Sequence, residues 1–275
     1  MQYTHIVRED FSSLNQLMLA LKTRPDNKIM QGKKSSQRTT DPKFFGTANY
    51  EEASRMLTDG YIEILGQLKD TVKEKRSINS KFAESIPHQV PHTAMVGYSP
   101  CVPNAILGLP NSMISIDKKP IKRKTLSIVY AMGANCGTNA KYFSEAGAAL
   151  LSAIDLIERS GIQTQLKLCF YPSEEDGELA CATVVIKNYG ERYSLQKISF
   201  PLAHPSMFRR IGFKWLETSP DITKSGFNFG YGHTPNWRNL EEAMEVGPNT
   251  CFIDIDFIHN NNCDAQEILK KFGVI

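Results

Sequence analysis

The sequence is short of cysteine and has no long apolar run. Six cysteines in 275 residues, none in a CxxC pair, are too few for a disulfide framework, and a reducing compartment is the expectation. No apolar stretch reaches the roughly 18 residues that a membrane helix needs, so no spanning helix and no membrane partner are expected. Met1 to His5 shows no basic start followed by an apolar segment, so no secretory signal is expected. GxSxG, GxGxxG and GxxxxGK[ST] are all missing, which removes the nucleophile elbow, the dinucleotide fingerprint and the phosphate loop. No internal repeat is visible. What is present, 41% hydrophobic, 22% charged and 9% aromatic residues, is ordinary globular composition. It rules out a disordered chain, a collagen and a coiled coil.

The net charge of +3 is unevenly spread. Residues 1–124 hold 19 Lys/Arg against 12 Asp/Glu, a net +7, and residues 125–275 hold 13 against 17, a net −4. A basic half of this kind attracts nucleic acid or is a solvated surface. Lys118, Lys119, Lys122, Arg123 and Lys124 concentrate the excess.

Leu14, Leu17, Met18 and Leu21 fall on one helical face, with Ser12 or Ser13 as cap, which predicts a helix over 11–22. Residues 24–42 are polar and read as a loop. Asn49 caps a helix that ends at Asp59-Gly60, and Ile64, Leu65, Leu68 and Val72 point one face of 61–76 inward. Six prolines between Pro87 and Pro120 argue against long regular elements there, while Val102, Ile106, Leu107 and Met113 imply that the segment packs on the rest. Residues 125–130 have the β-branched content of a strand, 144–160 read as a helix closed by Gly161, and 165–171 as a second strand. That is a βαβ unit with a parallel strand pair. Residues 179–187 form a third strand, joined to the second as a hairpin. A short helix is expected over 206–215, a late strand over Cys251 to Ile258, and a last helix over 264–272.

Few constellations carry chemistry. On the late strand, alternation puts Asp254 and Asp256 on one face, where with a histidine they would serve a metal-dependent enzyme such as a nuclease. His88, His92 and Cys101 are zinc ligands by type but lack a fourth partner. His204 and Ser206 neighbour a helix start, where Ser206 is a natural cap; no orienting group marks a catalytic set. The glycine-bearing loop Gly133 to Gly137 precedes a helix whose N-terminal amides could hold an anion. In Gly226 to Gly232, Phe227, Phe229 and Tyr231 share one face if the chain is extended. They would stack unpaired bases, with Arg209, Arg210 and the 118–124 cluster on phosphates.

Three stretches, FGTANYEEASRMLTDG (45–60), VGYSPCVPNAILGLPNSM (96–113) with Asn135 to Thr138, and ISFPLAHPSMFRRIGF (198–213), resemble an uncharacterised family of tailed-bacteriophage proteins. That resemblance implies the cytoplasm of an infected bacterial host, and a phage or host protein as partner. The run from Thr125 through Lys167 also resembles the opening of a von Willebrand A-type domain. There the metal loop would read Tyr130-Ala131-Met132-Gly133-Ala134, without the Asp and Ser that hold Mg²⁺, so that site is degenerate and no metal or other cofactor is expected.

The expected fold is α/β: a three-layer, von Willebrand A-like mixed sheet over 125–275. A helical basic extension precedes it over 1–90, and a proline-rich connector packs on it over 91–124. The function expected first is a non-enzymatic interaction module that binds protein through Asn135, Gly137, Thr138 and Asn139 at the loop ends of the sheet. Single-stranded DNA or RNA binding comes second and the metal enzyme third.

Overall fold

The computed structural model describes residues 5–27, 34–39, 41–78, 91–115, 124–134, 137–172, 178–222, 231, 247 and 249–274. Its main sheet is built from β1 (His5–Phe11), β5 (Thr125–Ala131), β6 (Gln163–Phe170), β7 (Glu178–Lys187) and β8 (Thr250–Asp254), in the order β1-β7-β6-β5-β8. β5 pairs in parallel with both β6 and β8, β7 runs antiparallel to β6, and β1 runs parallel to β7. The parallel βαβ unit and the β6–β7 hairpin pairing follow the sequence expectation.

The crossover from β5 to β6 is α6 (Ala140–Arg159), capped by Asn139, whose side chain accepts from the Tyr142 amide. Alanine and glycine on its inner face let it lie close to α7 (Leu195–Ala203). A Cβ added to Gly147 would stand 2.6 Å from the Leu202 carbonyl oxygen, so only glycine allows this approach. α1 (Leu14–Thr23) is capped by Ser13 and the short α2 (Pro42–Phe45) by Asp41. Asn49 caps α3 (Tyr50–Asp59), and α4 (Leu65–Ile78) follows a 3₁₀ turn.

The expectation of a helical extension beside the α/β core is corrected here. Residues 5–11 are an edge strand of the main sheet, because Val7 and Phe11 alternate inward between charged neighbours. Leu17, Leu21, Ala53, Leu57, Leu68 and Val72 are buried in the same cluster as Ile128, Tyr130, Leu150, Leu166 and Leu168. The opposite face of the sheet buries Val129, Ala131, Cys169, Tyr171, Leu179, Cys181 and Phe252, and no described helix contributes to that cluster. Among the described residues the helices thus form one layer, not the two that a three-layer fold requires.

β2 (His92–Ala94), β3 (Ser99–Pro100) and β4 (Met113–Ser115) form a separate antiparallel sheet, with α5 (Val102–Ile106) between β3 and β4. The expected packing of this segment is not seen: Val102, Ile106 and Leu107 are 59%, 79% and 71% exposed.

After α7 come a π-helical turn, Met207–Gly212, and α8 (Phe213–Thr218). The late strand also needs correction. It stops at Asp254, whose carboxylate accepts from the Phe257 amide at 2.5 Å and starts α9 (Ile255–Asn260). Asp254 and Asp256 therefore do not share a strand face. α10 (Ala265–Lys271) is capped by Asp264. No described helix is long and apolar enough to cross a membrane.

Candidate functional site

β5 leads through α6 to β6 on one side, while β8 lies on its other side. Strand order changes direction at β5, and in open α/β sheets the crevice outside the carboxyl ends at such a point is where ligands bind. In register, Ala131 at the end of β5 faces Asp254 at the end of β8. Met132, Gly133 and Ala134 continue buried, whereas Gly137 and Asn139 are exposed and Thr138 is half-buried. Arg209 anchors this loop from beneath. Its Nη2 donates to the Thr138 carbonyl at 3.0 Å and its Nη1 to the Phe44 carbonyl at 2.6 Å. The guanidinium lies over the rings of Phe44 and Phe143.

Beside this edge, the start of α6, α9 and the turn after α9 carry Tyr142, Asp254, Asp256, His259 and Cys263. Tyr142 Oη donates to Asp256 Oδ1 at 3.1 Å, and the Tyr142 ring stacks on His259 with centroids 3.3 Å apart. His259 Nε2 stands 2.7 Å from the Tyr142 carbonyl, and Cys263 Sγ 3.6 Å from His259 Nδ1. Burial, then the Asp256 charge, pushes the Tyr142 phenol up to about 12. Burial also raises the Asp254 carboxyl, against the amide of Phe257. Tyr130 is 0% exposed, and among the described residues its hydroxyl meets no hydrogen-bonding partner. Burial raises that phenol well above its ordinary value, helped by Asp254, Cys263 and Asp256.

The other expected residues fare differently. Gly137, Thr138 and Asn139 come together at the strand ends, while Asn135 lies outside the described residues. Arg209 and Arg210 are 1% and 0% exposed, so their expected contact with phosphates is corrected. Arg210 Nε donates to Thr47 Oγ1, and its two terminal nitrogens donate to the carbonyls of Ser36, Arg38 and Thr47. These arginines hold the 34–47 segment to the core because loop carbonyls need donors away from water. Tyr231 is no stacking platform: its hydroxyl donates to Glu217, accepts from the Ser35 amide, and its ring packs on Phe213. Phe227, Phe229, Lys118, Lys119, Lys122 and Arg123 lie outside the described residues; Lys124 is exposed.

Ser206 is not a cap. Fully buried, it donates to the Phe45 carbonyl at 2.5 Å and pairs with Thr47 Oγ1, while burial pushes the His204 imidazole down to about 4. Among the described residues no three His, Cys, Asp or Glu side chains are grouped to hold a metal ion, so the metal-enzyme expectation finds no ligand set there. His88 of the zinc triplet lies outside the described residues.

The sequence reading missed Tyr130, Tyr142 and Cys263. No spacing marks them: Cys263 lies beyond the end of α9, in a left-handed turn that the sequence pattern does not announce.

A family model described as a domain of unknown function, DUF7192, matches residues 2–275. No curated protein and no solved structure matches the chain.

Proposed function

The chain belongs to this DUF7192 family of unknown function, and we propose that it is a non-enzymatic interaction module that docks a partner protein across the carboxyl ends of β5 and β8. The observation that carries the reading is the buried clamp of Arg209 on the Thr138 carbonyl. It holds the loop from inside while Gly137, Asn139, Ala140 and Lys141 stay exposed at the α6 start. A rim fixed in advance loses little conformational entropy on binding. Asp256, exposed and bonded to Tyr142 of α6, adds an acidic group to this edge. The likeness to tailed-phage proteins names the partner class, another phage protein or one of the host. A von Willebrand A-like strand order, without that fold's second helical layer among the described residues, belongs to the same proposal. It is supported by the strand–helix–strand run with a parallel neighbour at β8 and an antiparallel one at β7.

The test is affinity capture from infected cells with wild type and with Thr138→Arg/Asn139→Arg, each checked for native circular dichroism. Loss of a stoichiometric partner in a folded double variant supports the site. Retention of every captured protein moves the interface elsewhere.

A further inference from the structure

The small sheet β2–β3–β4 and α5 bond their own backbone but bury none of their side chains. The Tyr98 amide donates to the Ile114 carbonyl at 3.0 Å and the Cys101 amide to the Ser112 carbonyl at 2.8 Å. A Cβ added to Gly97 would stand 2.1 Å from that Ile114 oxygen, so the chain closes there only with glycine. α5 ends in a Schellman turn. Gly108 is left-handed, with φ of 64°, and the Leu109 amide donates back to the Asn104 carbonyl at 3.0 Å. Asn104 Nδ2 then ties this turn to the Asn111 carbonyl at 2.9 Å. The apolar side chains of this fixed frame face water. Met95, Val96 and Tyr98 follow β2, and Val102, Ile106, Leu107 and Leu109 run along α5 and its end; all seven are between 46% and 82% exposed. Val102, Ile106 and Leu109 recur at i, i+4 and i+7, the spacing of one helical stripe. No residue of 91–115 is buried, and none belongs to either core cluster. Strands of two and three residues do not form a stable sheet in water without a covered apolar face.

We infer that residues 91–115 are a dimerisation arm, whose apolar surface is covered by the same surface of a second copy of this chain. Two observations choose that occupant. The first is area. The seven side chains leave on the order of 800 Å² of apolar surface in water, where the largest patch on a typical monomer is about 300–600 Å² and each partner in a standard interface gives about 800 Å². The second is charge. Residues 91–115 contain no Asp, Glu, Lys or Arg. Charge is what registers a surface against an unlike partner, and here there is none to read. Two copies of a charge-free surface meet without like-charge repulsion, and a two-fold interface asks only that one patch complement itself. The hydrogen-bonded frame holds the apolar side chains in place beforehand, so pairing costs little conformational entropy. A dimer also carries the β5–β8 docking edge twice, which makes the second contact with a repeated partner intramolecular.

This inference does not rest on the docking reading, because it uses none of the rim residues 137–139. It is tested by sedimentation equilibrium of the full chain from about 1 to about 100 µM. Wild type is expected at twice the mass of the chain. Ile106→Asp/Leu107→Asp places two charges on the arm at positions 79% and 71% exposed, and should weaken the dimer at least tenfold with native circular dichroism. Leu19→Asp charges an equally apolar position on α1, 62% exposed, and should leave the dimer intact. Added salt should hold or tighten the dimer, because apolar contact is not screened. Should the double variant not fold, hydrogen exchange of wild type reads the same surface: amides of 95–109 should exchange more slowly in concentrated than in dilute protein. Wild type that stays monomeric at the highest concentration overturns the inference. So does a dimer that the double variant leaves unchanged, or exchange at 95–109 that ignores concentration. A monomer that instead sediments with phosphatidylcholine vesicles assigns the surface to lipid and overturns it as well.

Discussion

Two buried polar regions of this molecule are built on opposite terms. Around the π-helical turn, every polar group named above is answered. Arg210 donates to four oxygens, Glu217 accepts from Ser36 and Tyr231, and Ser206 bonds to Phe45. At the carboxyl ends of β5 and β8, the Tyr130 hydroxyl has no partner among the described residues, and burial holds the Asp254 carboxyl high. Full satisfaction marks scaffold, since an unpaired buried polar group costs about 1–3 kcal/mol. A buried group left unanswered calls for an explanation other than holding the fold together. Arginines that look like phosphate binders in the sequence therefore belong to the first region.

The largest expected effect tests the scaffold. Arg210→Met strands the carbonyls of Ser36, Arg38 and Thr47 and should cost about 3–5 kcal/mol, read from urea unfolding. A loss under about 1 kcal/mol would mean that Arg210 is not needed to hold the 34–47 segment.

The next effect depends on pH. Burial between Tyr61 and Phe200 lowers His204 from 6.5 to about 4. The unfolded chain therefore takes up this proton first. Stability from the neutral ring is complete above pH 6.5 and is lost as pH falls towards 4, about 3 kcal/mol in all. His204→Asn retains an acceptor for the Ser206 amide, which donates to Nδ1 at 3.2 Å, but should flatten this slope. An unchanged pH profile between 6.5 and 4 would assign the loss to other groups.

Helix caps and the βαβ unit are legible in the sequence because they depend on local chemistry. Ser13, Asn49 and Asp264 cap where short polar side chains precede apolar periodicity. β1 escaped because its alternation is brief and three of its seven residues are charged; only pairing with β7 makes it a strand. The strand–helix switch at Asp254 escaped because one side-chain hydrogen bond to Phe257 ends an otherwise good β pattern. That error hid the candidate site. With 255–258 read as strand, His259 and Cys263 carry no mutual geometry. The partners of Arg209 and Arg210 were beyond reach for another reason, since carbonyls of residues 36–47 and 138 come together only through the tertiary fold.

The smallest effect separates the two regions most cleanly, because it is the same edit made in each. Tyr231→Phe removes a hydroxyl that joins Glu217 to the Ser35 amide, so it should destabilise the protein by about 2 kcal/mol. Tyr130→Phe removes a hydroxyl that joins none of the described residues, so stability should stay level or rise by up to about 1 kcal/mol. Paired thermal melts of the two variants measure the difference directly. Equal losses would mean that the Tyr130 hydroxyl is held as firmly as that of Tyr231, and the contrast between scaffold and site would fail at its most exposed point.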